Sequence, residues 1–148
     1  MTRYRPGDVV TARELPSLDE STVPLPDPEH LVHLQFRRYA SCPICTLHMR
    51  SFAARHDELV KAGIREVVIF HSDRESLLQH KAGLPFDVVP DPGRSLYRDF
   101  GVERSLRSLL HPSGWLAGLR GWSPSLGIRA GQGGYLGLPA DFLLGPDG

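Results

Sequence analysis

Cysteine is scarce in this chain, which has only Cys42 and Cys45 among its 148 residues. Two cysteines cannot build the dense disulfide framework of a small secreted domain. A chain of this length does not need one, because it buries roughly two thirds of its unfolded surface on folding. Charge of one sign is also lacking, since 17 basic side chains balance 17 acidic ones. The sequence therefore has no basic field for nucleic acid, and we expect no nucleic-acid partner.

Long apolar runs are absent as well. Residues 1–8 lack the apolar stretch of a secretory signal, and no run in the chain reaches the length of about 20 residues that spans a membrane. The sequence thus predicts a cytoplasmic protein with no membrane partner, organised as a single domain over residues 1–148. In a reducing compartment, two cysteines so close together are more often catalytic or metal-binding than structural.

The order of hydrophobic patterns predicts an α/β fold. Proline-rich residues 1–28 predict an extended N-terminal segment, with short edge strands at 9–15 and 22–25. A helix at 46–62 between two strands favours a right-handed β-α-β crossover and hence a parallel strand pair. The elements predicted beyond residue 28 are strands at 31–36, 65–71, 86–89 and 138–144, and helices at 46–62, 73–81 with Ser72 as its cap, 95–100 and within 103–119, followed by a glycine-rich irregular stretch at 121–137.

The two cysteines stand at the junction between the strand at 31–36 and the helix that follows it. Ser41 or Cys42 would cap this helix, and Pro43 would be its first residue, where a missing N–H costs nothing. Free backbone N–H groups and the helix dipole would then favour a thiolate at Cys42, and Arg37, Arg38 and His48 could add positive potential. Cys45 follows one turn later on the same face. The spacing predicts a redox dithiol in which one cysteine attacks and the other resolves.

Other interpretations of the cysteines stay open. They could be two buried small hydrophobic residues, or Cys42, Cys45 and His48 could offer three ligands to a metal. No second C-x-x-C completes a structural zinc site, so we predict neither a metal nor another cofactor. His71 ends a strand, where the active sites of parallel sheets gather, although a structural role is commoner for such a residue.

Four blocks of the sequence resemble, in the same order, segments of one known family. They are 5–8 (RPGD), 36–45 (FRRYASCPIC), 88–102 (VVPDPGRSLYRDFGV) and 138–148 (LPADFLLGPDG). In these blocks the chain is similar to the peroxiredoxin-like (AhpC/TSA-type) branch of the thioredoxin-fold superfamily. The resemblance implies a three-layer α/β/α thioredoxin-like fold with a central mixed sheet. It also implies an antioxidant peroxidase or thiol-disulfide oxidoreductase, with a peroxide or disulfide substrate and a thioredoxin-type or low-molecular-weight thiol as reductant.

The chain departs from that family at the site itself. Typical members have T-x-x-C, so Cys42 occupies the threonine position and Cys45 the peroxidatic one. Pro139 stands where the family has an arginine and where thioredoxins have a cis-proline against the thiol pair. The resemblance therefore implies a cis peptide bond before Pro139 and makes Pro139, Ser41 and Pro43 substrate-positioning residues. The first attacking cysteine stays open, because disulfide exchange favours Cys42 and family position favours Cys45 for a peroxidase.

Two further differences concern the strands of this fold. Thioredoxins carry a buried acid on the strand before their cysteines, and Phe36 stands near that spacing here. A thioredoxin-like fold also continues past the final turn at 145–148 with another strand and a helix, so we expect the sheet to lack them and to be uncovered near 142–144. A further segment, a shortened chain or a partner would each account for this edge. Trp115, Trp122 and Tyr135 could line a substrate or dimer surface, and a homodimer stays open.

A third interpretation belongs to a different class of function. The domain could be a non-catalytic thioredoxin-fold module that binds a partner or a metal and keeps its cysteines reduced. The absent arginine and threonine count against an efficient peroxidase, whereas the retained dithiol counts against a module without redox chemistry.

Overall fold

A computed structural model describes residues 4–40, 43–81, 83–102 and 140–148. Within these ranges, the chain forms six strands and four helices. In order they are β1 (Arg13–Pro16), β2 (Thr22–Leu25), β3 (Leu31–Arg37), α1 (Pro43–Ala54), α2 (His56–Lys61), β4 (Ile64–Phe70), α3 (Arg74–Lys81), β5 (Asp87–Pro90), α4 (Ser95–Asp99) and β6 (Ala140–Leu144).

The central sheet has the strand order β5-β4-β3-β6. Strand β3 pairs in parallel with β4 and antiparallel with β6, and β4 pairs in parallel with β5. The predicted parallel crossover and the mixed sheet are thus confirmed. Among the described residues β6 pairs with β3 alone, which places β6 at one edge of the sheet.

Alternation along β3 divides the molecule into two layers around the sheet. Val32, Leu34 and Phe36 point to one face, where the β1-β2 hairpin and α4 cover them. The opposite face lies under α1 and α3, which contribute apolar side chains to a second core with Val68 and Phe70 of β4. Helices or a hairpin on both faces of a mixed sheet give the α/β fold that the sequence patterns predicted and the thioredoxin-like architecture that the resemblance implied.

The N-terminal segment contributes to the core rather than only running along it. β1 begins at Arg13, later than the predicted strand at 9–15, and forms an antiparallel hairpin with β2. Leu15, Val23 and Leu25 of this hairpin are buried in the first core. Because successive strand residues alternate between faces, the hairpin can bury these apolar residues and leave its other face in solvent.

The prediction of one continuous helix at 46–62 is wrong, because the structure has two helices there. α1 begins at Pro43, as expected of a proline in the first helical position, but the chain breaks at Arg55 before α2 starts. Arg55 has φ −110° and ψ 17°, and its N–H donates to the carbonyl of Phe52 three residues back, which interrupts the i to i−4 pattern. Beyond the break, Val60 of α2 is 57% exposed.

The predicted cap of α3 is also wrong by one residue. The Asp73 carboxylate, not the Ser72 hydroxyl, accepts the backbone N–H of Ser76, at 2.8 Å. The Ser72 hydroxyl instead accepts the N–H of Ala40 at 3.0 Å, in the segment before the cysteines. A carboxylate is the stronger acceptor at a helix N-terminus because its charge also interacts with the helix dipole.

Several predictions fall on residues that the structure does not describe. These are the helices within 103–119, the glycine-rich stretch at 121–137, Trp115, Trp122, Tyr135 and the cis bond before Pro139. Of the helices in the described ranges, none is both long and apolar enough to cross a membrane.

Candidate functional site

The segment from Arg38 to Ala40 connects β3 to the start of α1 and is held from the neighbouring strand. The N–H of His71 donates to the Arg38 carbonyl at 3.3 Å, and the N–H of Ala40 donates to the Ser72 hydroxyl at 3.0 Å. His71 and Ser72 directly follow β4, which lies beside β3. The carboxyl ends of two parallel strands therefore fix the backbone that leads to the cysteines, as the topology of an open α/β sheet favours.

Cys45 lies in the first turn of α1, below this segment, and is 3% exposed. Its Sγ accepts a hydrogen bond from the backbone N–H of Arg38 at 3.4 Å. Cys45 also belongs to the second buried core, together with Tyr39, Met49 and Phe70. A backbone N–H donor and a helix N-terminus both favour a negatively charged sulfur, whereas the apolar contacts favour the neutral thiol.

Tyr97 reaches the same backbone from the opposite layer. Its hydroxyl donates to the carbonyl of Arg37 and lies 2.9 Å from the carbonyl of Ile69. Burial raises the pKa of Tyr97 well above its usual value, and the nearby charge of Cys45 raises it further. The phenol consequently keeps its proton and acts as a hydrogen-bond donor between the ends of β3 and β4.

The position of Tyr97 is set by the start of α4. The Asp91 carboxylate accepts the N–H groups of Ser95 at 3.0 Å and Leu96 at 2.9 Å, which satisfies two free N–H groups at the start of this short helix. The Tyr97 ring then packs edge-on against Phe36 and against His71, with ring centroids 4.9 Å and 5.5 Å away. These contacts leave the phenol little freedom to turn away from the two carbonyl groups.

Five polar side chains form a closed hydrogen-bonded ring on the sheet face that α1 covers. His33 Nδ1 lies 2.8 Å from Glu66 Oε1, and His33 Nε2 lies 3.5 Å from Asp141 Oδ1. Asp141 Oδ1 also accepts from Arg37 Nη2 at 2.6 Å, and Arg37 Nε donates to Gln35 Oε1 at 2.9 Å. The Gln35 amide closes the ring by donating to Glu66. This polar ring links β4, β3 and β6.

The polar ring controls how its members ionise. The hydrogen-bonded carboxylates of Asp141 and Glu66 raise the pKa of His33 to about 9. Burial opposes ionisation of Asp141, but the hydrogen bond from His33 and the charge of Arg37 outweigh it and lower the pKa of this carboxyl. With His33 protonated, two cations and two anions balance within the ring, which is how buried charge is normally tolerated.

Two of the three side chains expected to add positive potential at the cysteines, Arg37 and His48, have surroundings that the sequence did not predict. The Arg37 guanidinium is bonded to Gln35 and Asp141 within the polar ring. Burial and the charge of Arg37 lower the pKa of His48, so this imidazole carries less charge near neutral pH than an ordinary histidine. At Cys45, the sulfur accepts a hydrogen bond from the backbone N–H of Arg38, whereas the sequence pointed to cationic side chains.

The structure describes only part of the predicted site. Pro43 is the first residue of α1 and Cys45 lies in its first turn. Cys42, Ser41 and Pro139 lie outside the described residues. Within the described ranges, no group of three His, Cys, Asp or Glu side chains could hold a metal ion.

Sequence reasoning missed Tyr97 and the polar ring. The sequence did offer one signal for the ring, because His33, Gln35 and Arg37 alternate with apolar residues along β3. A polar period of two on a buried strand indicates a polar face rather than a fully apolar one. The buried acid sought near Phe36 is found instead on the adjacent strand, since the side chain of Glu66 is 0% exposed.

Comparison with known proteins agrees with this fold. Peroxiredoxin Q from Xanthomonas campestris is 22% identical, with a TM-score of 0.65 over 92% of this chain and 75% of its own. Peroxidoxin BcpB from Mycobacterium tuberculosis is 23% identical, with a TM-score of 0.60 over 68% of each chain. The reduced 2-Cys peroxiredoxin of Plasmodium vivax is 14% identical, with a TM-score of 0.57 over 66% of this chain and 58% of its own. At these identities the similarity establishes the fold alone.

The sequence itself carries the family assignment. No curated protein matches this chain closely enough to count as a relative. The profile of the AhpC/TSA family, in contrast, matches residues 6–148, which is nearly the whole chain. This protein therefore belongs to the AhpC/TSA family of peroxiredoxin-like thiol redox proteins.

Proposed function

We propose that this protein is a thiol-dependent oxidoreductase that cycles Cys42 and Cys45 between a dithiol and an intramolecular disulfide. The observation that carries this proposal is the position of Cys45, whose Sγ accepts the Arg38 N–H in the first turn of α1. A thiol in this position has a donor that can stabilise its thiolate, and Cys42 is three residues away in sequence. Membership of the AhpC/TSA family supports the same chemistry.

The reaction requires an oxidant and a thiol reductant. The Cys42 thiolate attacks a peroxide oxygen, the O–O bond breaks, and Cys42 becomes a sulfenic acid while the other oxygen leaves as an alcohol or water. Cys45 then attacks the Cys42 sulfur, which forms the disulfide and releases water. When the substrate is a disulfide, the Cys42 thiolate attacks one of its sulfurs, which forms a mixed disulfide in place of the sulfenic acid and releases a thiolate. Two electrons from an external dithiol or two small thiols restore the starting state.

We assign first attack to Cys42 and resolution to Cys45. Cys45 is buried among apolar side chains of the second core, including Met49 and Phe70, so a bulky disulfide cannot reach its sulfur. A resolving thiol needs access only to its partner sulfur and not to solvent. Ser41, Pro43 and Pro139 are the proposed substrate-positioning residues around the attacking thiol.

A specific observation also supports first attack by Cys45 on hydrogen peroxide. Cys45 occupies the peroxidatic position of the family pattern, and its Sγ has the Arg38 N–H as a donor. Peroxide is small enough to reach a sulfur that a protein disulfide cannot. The two orders of attack predict different trapped intermediates and can therefore be separated.

The test compares wild-type protein with Cys42→Ser and Cys45→Ser. Each reduced protein is mixed with hydrogen peroxide or with a small aromatic disulfide, and consumption and intact mass are followed. If Cys42 attacks first, Cys45→Ser protein should accumulate a sulfenic acid or a mixed disulfide, and Cys42→Ser protein should consume the oxidant slowly. The reverse pattern with peroxide would assign first attack to Cys45. Rates no faster than free glutathione in all three proteins would refute the proposed function and leave a non-catalytic module.

A further inference from the structure

We propose that Tyr97 is a positioning residue for the Cys45 thiol and acts through the single peptide group between Arg37 and Arg38. The carbonyl of this peptide accepts a hydrogen bond from the Tyr97 hydroxyl, and its N–H donates to Cys45 Sγ at 3.4 Å. Hydroxyl, peptide and sulfur therefore form one continuous chain of hydrogen bonds. The proposal rests on the proposed redox role of Cys45.

The physical basis is the polarisation of an amide. A hydrogen bond donated to the carbonyl oxygen draws electron density from the nitrogen and makes the N–H a stronger donor. A stronger donor stabilises an anionic sulfur more than a neutral thiol, since hydrogen bonds to charged groups are stronger than those between neutral groups. Tyr97 should therefore shift the Cys45 equilibrium toward the thiolate without touching the sulfur.

The surroundings of Tyr97 suit this role. The hydrogen bonds between Asp91 and the start of α4 and the ring contacts with Phe36 and His71 hold the phenol in place. Because Tyr97 is 4% exposed, water has little access to compete for its hydroxyl. The charged groups that act on this hydroxyl are Cys45, Asp91 and Arg37, and burial keeps the phenol protonated.

The consequence for the proposed reaction concerns its second step. Cys45 must give up its proton before its sulfur attacks Cys42 and forms the S–S bond, and that proton ends on the displaced hydroxide as water or on the displaced substrate thiolate as a thiol. Removing the Tyr97 hydroxyl weakens the donor to Cys45 and lowers the thiolate population. Resolution should slow, whereas the first attack by Cys42 should keep its rate.

The direct test uses Cys42→Ser protein, in which Cys45 is the one remaining cysteine. The ultraviolet absorbance of the thiolate is followed against pH with and without Tyr97→Phe, which keeps the ring. We expect the midpoint to rise by about half a unit, which lowers the thiolate population below the midpoint about threefold. The control is Tyr4→Phe, since Tyr4 packs on Phe100 in the same layer. An unchanged midpoint, or an equal shift in the control, would overturn the proposal.

A second variant changes the donor in the opposite direction. Fluorotyrosine at position 97 keeps the hydroxyl but makes it a stronger donor, so the midpoint should fall rather than rise. A purely structural role would not reverse the sign. In Cys42→Ser protein with its native Tyr97, nuclear magnetic resonance should show the chemical shifts of the Arg38 amide and of the Tyr97 phenol carbon changing with the same pH midpoint as Cys45 ionises. A flat Tyr97 signal through that titration would contradict the relay even if Tyr97→Phe fails to fold.

The outcome is separable from that of the proposed function. The titration needs no substrate, so a protein that fails every redox assay can still show the Tyr97 effect. Conversely, if the protein is active but Tyr97→Phe leaves the Cys45 midpoint unchanged, the proposed function stands and this inference is refuted. In wild-type background, Tyr97→Phe should slow disulfide formation about threefold and leave the initial consumption of peroxide unchanged.

Discussion

His33 and Glu66 lie opposite each other on adjacent parallel strands, with His33 Nδ1 2.8 Å from Glu66 Oε1. This pair begins the polar ring that continues through Asp141, Arg37 and Gln35. The ring lies on the face that α1 covers, and the His33 ring is 5.2 Å from that of Phe52 on α1. A charged cluster therefore supports the same helix that carries Cys45 in its first turn.

The raised pKa of His33 predicts a stability that depends on pH. Folded His33 has a pKa of about 9, against an ordinary 6.5, so folding favours the protonated form. This contribution is complete below about pH 6.5 and is lost as the pH rises through about 9, for a total of up to about 3 kcal/mol. Chemical denaturation should accordingly show a falling free energy of unfolding over this range.

His33→Gln should remove this pH dependence, and His80→Gln provides the control. His80 is exposed on α3, where its Nδ1 lies 2.8 Å from the Ser76 carbonyl. The control protein should keep the wild-type profile. A wild-type free energy of unfolding that is equal at about pH 6 and about pH 9.5 would refute a protonated His33 in the folded state.

Neutralising one acid of the polar ring should destabilise the fold in proportion to its burial. Glu66→Gln removes a fully buried carboxylate beside His33 and should cost about 3 kcal/mol or more. Asp141→Asn should cost less, about 1–2 kcal/mol, because the Asp141 side chain is 47% exposed and solvent screens its loss.

The matched control for these acids is Glu58→Gln. Glu58 pairs with Arg55 at 2.7 Å, but both side chains are well exposed. Surface pairs of this kind contribute little, so this variant should unfold at the wild-type denaturant concentration. If Glu66→Gln is no less stable than Glu58→Gln, the polar ring does not stabilise the sheet.

Adjacent residues Ser72 and Asp73 should have separable effects. Asp73→Ala removes the cap of α3 and should cost about 1 kcal/mol without altering thiol reactivity. Ser72→Ala leaves the Ala40 N–H without its acceptor and should cost about 1–3 kcal/mol. Because Ala40 precedes the cysteines, only Ser72→Ala should also change the rate of disulfide formation. Equal effects of both variants on that rate would contradict a specific anchor at Ser72.

The sequence was informative wherever the controlling interactions are local. The apolar runs at β3 and β4 identified the crossover unit, and the predicted helix ends one residue before Gly63, which adopts φ +72°. The cysteine motif was found for the same reason, because its spacing is a short-range property. The break at Arg55 was missed, since the apolar pattern continues through it.

The polar ring and the Tyr97 contact were not predictable in this way. Arg37 and Asp141 are 104 residues apart, and they meet because β6 inserts beside β3 in a particular register. Tyr97 reaches the Arg37 carbonyl from 60 residues away, across the opposite layer. The alternation of polar residues along β3 signals a polar face that was overlooked, and only the strand order identifies the partners of that face.

Oxidation by peroxide with a mass readout can establish whether Cys42 and Cys45 form a reversible redox pair. Fully reduced wild-type protein is treated with one equivalent of hydrogen peroxide, and its intact mass and cysteine-containing peptides are determined before and after a dithiol is added. We expect a mass loss of two hydrogens, a disulfide bond between Cys42 and Cys45 in the isolated peptides, and full recovery of the dithiol on reduction. Two cysteines that remain reduced, or that are oxidised without becoming linked, would contradict a reversible redox pair.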